Sequence, residues 1–86
     1  MEQEKKYIAS QFRAGRALLG ISQAALAEDA GVSSMTVKRA EGSGKPYPST
    51  VAISAIRAAL EAKGVQFIEE NGGGAGVRMK ERGSSQ

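Results

Sequence analysis

Residues 23–42 read QAALAEDAGVSSMTVKRAEG, and the fold turns on how the apolar and small positions in that stretch are spaced. Leu26 and Ala27 fall within a short helical segment, residues 23–30, and Ser22 stands before it as an N-cap whose hydroxyl accepts backbone N–H bonds. Gly31 breaks the pattern for one position, after which Ser33 or Ser34 can cap a further helix running to about residue 41. A break centred on a single Gly fits two helices meeting at a sharp angle. The crossing requires a small side chain at Ala27, φ > 0 at Gly31, and inward-facing Leu26, Val32 and Val37. Ser33, Ser34, Met35, Thr36, Lys38 and Arg39 are left on or near the outward face of the second helix.

Working outward, Ile8, Phe12, Gly15 and Leu19 recur at helical spacing and predict a helix over residues 5–19, with Arg16 flanking the stripe and Gly20 as its stop. Gly15 costs roughly 0.5–1 kcal/mol relative to Ala in mid-helix, which points to close approach of a neighbouring backbone. Residues 42–48, GSGKPYP, form a loop by composition. Ser49 then caps a helix over residues 50–63, with Ile53, Ile56 and Leu60 on one stripe and Gly64 at its end. Residues 65–69 and 76–80 are short alternating runs joined by a Gly-rich loop, and predict a β-hairpin. Residues 81–86 are polar and are expected to be frayed. The expected fold is mainly α: four helices over residues 5–64 followed by a C-terminal β-hairpin over 65–80.

Composition narrows the function. The 86 residues hold twelve Lys or Arg, nine Asp or Glu, and neither Cys nor His. That removes thiol nucleophiles, imidazole catalysis, disulfide frameworks and zinc fingers, so no metal and no cofactor is expected. Residues 44–45, Gly-Lys, precede a Pro and lack the first Gly of a phosphate-binding loop, and the adjacent carboxylates Glu28-Asp29 and Glu69-Glu70 point different ways. No enzyme constellation emerges. Apolar runs are far shorter than the ~18 residues a membrane span needs, and the opening MEQEKK lacks a signal's apolar core, so the expected location is cytoplasmic. The basic excess lies early: residues 5–45 carry seven bases against three acids, whereas residues 46–86 carry five against four. A polyanionic partner fits that half.

At residues 23–42 the chain resembles the lambda-repressor-like (Cro/C1-type) helix-turn-helix DNA-binding family. The matching residues are Ile21, Ser22 and Gln23 at the start, Leu26 and Ala27, the turn Ala30-Gly31-Val32-Ser33, and Thr36, Val37, Arg39 and Glu41. The resemblance extends over about residues 11–64. It implies a transcription regulator that lays residues 33–41 in the major groove of double-stranded DNA. By position, it brings Ser34, Met35 and Arg39 to base edges, and Ser22, Gln23, Ser33, Thr36 and Lys38 near phosphates. A guanidinium such as Arg39 can donate two parallel bonds to guanine O6 and N7. The resemblance also implies an ion pair between Arg16 and Glu41 bridging the first helix to the end of the third. Arg13 and Lys45, near the first helix and in the loop, are further candidate phosphate contacts. Two positions depart from the family: Ser34 is shorter than the usual polar residue, and Ala40 is smaller than the usual aliphatic, which suggests closer packing against the fourth helix or filling by Phe12.

One short helix reads few base pairs, so a homodimer on a palindromic operator is expected, with two recognition helices about 34 Å apart. Val65, Phe67, Ile68, Val77 and Met79 are the candidate dimerisation residues, because a lone hairpin is marginal in water. Folding of the hairpin back on the fourth helix is the alternative. No small-molecule effector is expected in so small a chain. An antitoxin-type module that binds DNA and holds a second protein through the hairpin is the competing function.

Overall fold

The computed structural model describes residues 9–80 and contains four helices and a two-stranded antiparallel hairpin. In chain order these are α1 (Ala9–Leu19), α2 (Gln23–Ala30), α3 (Ser34–Ala40), α4 (Thr50–Ala62), β1 (Val65–Ile68) and β2 (Gly76–Met79). The expected first turn of helix 1, residues 5–8 with Ile8, and the tail at residues 81–86 lie outside the described residues. Among the described residues no helix is long and apolar enough to cross a membrane.

The helix boundaries follow local chemistry. Ser22, Ser33 and Ser49 each take an extended conformation and accept a backbone N–H three residues on, from Ala25 at 3.0 Å, Thr36 at 3.0 Å and Ala52 at 3.2 Å. At the turn between α2 and α3, Gly31 has φ +73°. Its N–H donates to the Glu28 carbonyl, and Val32 N–H reaches back to Ala27 at 3.0 Å, the paired bonds of a left-handed helix stop. The same pairing closes α1 through Gly20 and Ile21. α3 and α4 end one residue before expectation, because Glu41 and Lys63 serve as C-caps. Each strand is also one residue shorter than expected at its far end: Glu69 and Lys80 lie outside the ladder, although Lys80 N–H still donates to the Gly64 carbonyl at 2.6 Å.

One core serves all six elements. Phe12, Leu26, Ala27, Val37, Ala40, Ile56, Leu60 and Val65 are buried together, with Leu19, Ile21, Val32, Ile53, Phe67 and Val77 packed around them. Ala40 is fully enclosed in the cluster that holds Phe12 and Ile56, so its small size is matched to tight packing. Gly15 faces side chains, not the backbone expected there: a Cβ on it would lie 3.4 Å from both Leu60 and Val65.

The hairpin folds back on both α1 and α4. Phe67 meets Phe12 edge to face at 5.8 Å between centroids. Gln11, buried on α1, donates its side-chain amide to the carbonyls of Gly76 (3.0 Å) and Ile68 (3.3 Å), the pair at the loop end of the ladder. The register pairs Val65 with Met79, Gln66 with Arg78 and Phe67 with Val77. Since Gly64 and Lys80 form a hydrogen-bonded pair, alternation makes Phe67–Val77 and Val65–Met79 the non-bonded pairs. The N–H and C=O of Val77 and Met79 therefore point away from β1, along the outer edge of a sheet that has two strands among the described residues. Gln66 and Arg78, bonded at 2.9 Å, make the exposed face polar.

Candidate nucleic-acid interface

The sequence of α3 divides it by depth. Val37 and Ala40 are fully buried, while Ser33, Ser34, Lys38 and Met35, the last 48% exposed, stand in solvent. Thr36 and Arg39 are intermediate. This is the division that the apolar spacing predicts, and it leaves a polar ridge carrying two cations, Lys38 and Arg39. Ser33 and Thr36 are tied together at the start of the helix by a hydroxyl bond of 2.9 Å in addition to the cap. Ser22 is exposed at the head of α2; its oxygen accepts from Ala25, which leaves the hydroxyl proton for an outside acceptor.

Beneath the ridge, the end of α3 is anchored by a buried charge. Glu41 is only 3% exposed. Its carboxylate accepts from Arg16 Nε at 2.8 Å and Nη2 at 3.0 Å, a bidentate pairing, and from Gln23 Nε2 at 2.9 Å. Arg16 also donates Nη1 to the Ile21 carbonyl at 3.1 Å, and Arg13 donates to the Glu41 carbonyl. One carboxylate thus joins α1, the start of α2 and the end of α3. The hydrogen bonds to Glu41 raise the Arg16 pKa above the ordinary guanidinium value; desolvation opposes the shift and the opposite charge adds to it. The ion pair implied by the family resemblance is therefore present, as a deeper junction than a two-residue bridge.

That junction qualifies two of the expected contacts, Gln23 and Arg13. Gln23 has one amide N–H committed to Glu41, leaving its second N–H and its carbonyl oxygen. Arg13 is likewise engaged through Nη1, with the rest of its fork remaining. Lys45 is exposed in the loop after α3.

Arg39 lines a shallow cleft of about 230 Å³ with Thr36, Pro46, Tyr47, Pro48, Ser49 and Ala52. Sequence reasoning assigned Tyr47 no role, although an aromatic residue between two prolines was the available signal. It is 44% exposed, and partial burial raises its phenol pKa. Gln11 was also missed. It stands three residues after Ile8 and four before Gly15, so its spacing places it inward; only its polar side chain disguised that.

The expected dimerisation residues separate. Val65 is 3% exposed and belongs to the protein's own core, Phe67 packs on Phe12, and Ile68 and Val77 are half-buried. Met79 alone of the five is exposed, at 43%. Compared with known protein families and with characterised proteins, the chain matches no family model and no individual protein.

Proposed function

We propose that this protein is a sequence-specific double-stranded DNA-binding transcription regulator, a small cytoplasmic repressor-type switch that inserts α3 into the major groove. The observation carrying this reading is the two-sided character of α3. Val37 and Ala40 bind it to the core, the Glu41 junction fixes its end, and Ser34, Met35, Lys38 and Arg39 remain on the other side with donors and an apolar tip. A duplex groove asks for that set: guanidinium donors for guanine, an apolar contact for a thymine methyl, and hydroxyls and ammonium for phosphates. Resemblance of residues 23–42 to the lambda-repressor-like family supports the same reading.

The protein acts as a homodimer in this proposal, because one seven-residue helix reads too little sequence for useful discrimination. The apolar face of the hairpin is occupied by α1 and α4, so pairing falls to the outer edge of β2, where the backbone groups of Val77 and Met79 point outward. Repetition about a two-fold axis then demands a roughly palindromic operator.

Selection from random duplexes tests the reading. The wild-type chain should return two related half-sites in inverted orientation, and Arg39→Ala should lose preference at one base pair per half-site, a loss of about 1–3 kcal/mol in discrimination. Recovery of no motif, or of the same motif by both proteins, would contradict it.

A further inference from the structure

Arg39 is the strongest base-reading candidate, yet no hydrogen bond or ion pair among the described residues holds its guanidinium. Arg39 is one of the residues lining the cleft beside α3. One side is α3 itself, through Thr36 and Arg39; the other is the 46–49 loop and the first turn of α4, contributed by Pro46, Tyr47, Pro48, Ser49 and Ala52. Three of those five residues, Pro46, Pro48 and Ala52, are apolar and Tyr47 adds a ring, while Arg39 is the one charged residue among those lining the cleft. Prolines on both sides of Tyr47 fix φ at their own positions, so the ring is carried on a stiff stretch of chain. An arginine that must find its plane from free rotation loses side-chain entropy on binding, whereas one confined beside a flat apolar ring loses less.

We propose that Tyr47 is a specificity-determining positioning residue: its ring is the wall that confines the Arg39 guanidinium to the plane in which it meets a guanine edge. The proposal rests on the DNA-binding reading above and extends it from the recognition helix to the loop that follows. Tyr47 acts through Arg39, so its loss should mimic the loss of Arg39 at one base pair and leave the rest of the operator preference intact. The ring, not the hydroxyl, is the active part.

The test is selection from random duplexes with the wild type, Tyr47→Ala, Tyr47→Phe, Arg39→Ala and the Tyr47→Ala/Arg39→Ala double variant, each with a thermal melt alongside. Tyr47→Ala is expected to reduce preference about tenfold at the same base pair that Arg39→Ala affects, within the range of a lost bidentate contact. Tyr47→Phe should keep the wild-type preference, and the double variant should match Arg39→Ala alone. Melting temperatures of the Tyr47 variants should stay near wild type, since this side chain is outside the core. Unchanged preference in Tyr47→Ala, or a uniform weakening across all positions, overturns the positioning role while the DNA-binding reading stands. Failure of the wild type to select any motif overturns both. If Tyr47→Ala melts early, the Tyr47→Phe and Tyr47→Leu pair decides: equal preference in the two removes the need for a flat ring and refutes the proposal.

Discussion

Removing the Arg16 side chain is the most informative single perturbation of the scaffold. In Arg16→Ala, Glu41, only 3% exposed in the intact protein, loses two of the three side-chain hydrogen bonds on its carboxylate and retains only the one from Gln23. A buried charge stranded in this way costs about 3–5 kcal/mol, whereas a solvent-exposed pair of the same kind is worth about 0–1 kcal/mol. Arg16 itself is 24% exposed, which places the cost toward the lower end, about 3 kcal/mol. A chain of this length has total stability on the order of 4–13 kcal/mol, so the loss is a large fraction of it. Urea denaturation followed by helical circular dichroism should report it as a lower midpoint at unchanged slope, with a thermal midpoint lowered by roughly 12 °C or more. The paired replacement Arg16→Met with Glu41→Leu should recover most of the loss, since it removes both charges. Because the Arg16 pKa is raised, its contribution is fully present below the ordinary guanidinium value and fades only as pH rises through the higher folded value. The Arg16 contribution should therefore be constant through the neutral range. A loss below ~1 kcal/mol in Arg16→Ala would refute the claim that this junction is a buried anchor.

Three further outcomes follow from the geometry. Gly31→Ala forces a Cβ into the left-handed region at φ +73° and should cost about 1–2 kcal/mol in the same denaturation assay, even though nothing lies within 4 Å of the new atom. Lys38→Ala should weaken binding to all duplexes alike and reduce the slope of log affinity against log salt by about 1, without altering the selected motif. Met79→Pro removes an outward N–H from the edge of β2 while disturbing little packing, and should shift a dimer toward monomer in sedimentation; a dimer that persists rules out the edge as the interface.

Much of the architecture was legible because local chemistry decided it. Ser22, Ser33 and Ser49 cap helices on the strength of their own hydroxyls, Gly20 and Gly31 stop them, and the period-two pattern at Val65, Phe67 and Val77 marks strands with one buried face. The outward face of α3 could be read for the same reason, since burial of Val37 and Ala40 determines which residues point away. What could not be read depends on partners distant in sequence. Gln11 reaches carbonyls 57 and 65 residues away, and no spacing rule pairs a helix amide with the end of a hairpin. Val65 alternates as a strand residue whether its apolar face meets α1 or a second molecule, and only three-dimensional packing against Gly15 and Leu60 decides between them. Tyr47 shares a cleft with Arg39 through the path of an irregular loop, where no periodic pattern applies.

Amide chemical-shift mapping during titration with a selected duplex tests residue by residue the proposal that the exposed side of α3 meets DNA. The largest changes are expected at Ser22 and Gln23 and from Ser33 through Arg39, with Val65 and Phe67 nearly unmoved. Changes confined to the hairpin, or an α3 that does not respond while the duplex binds, would contradict it.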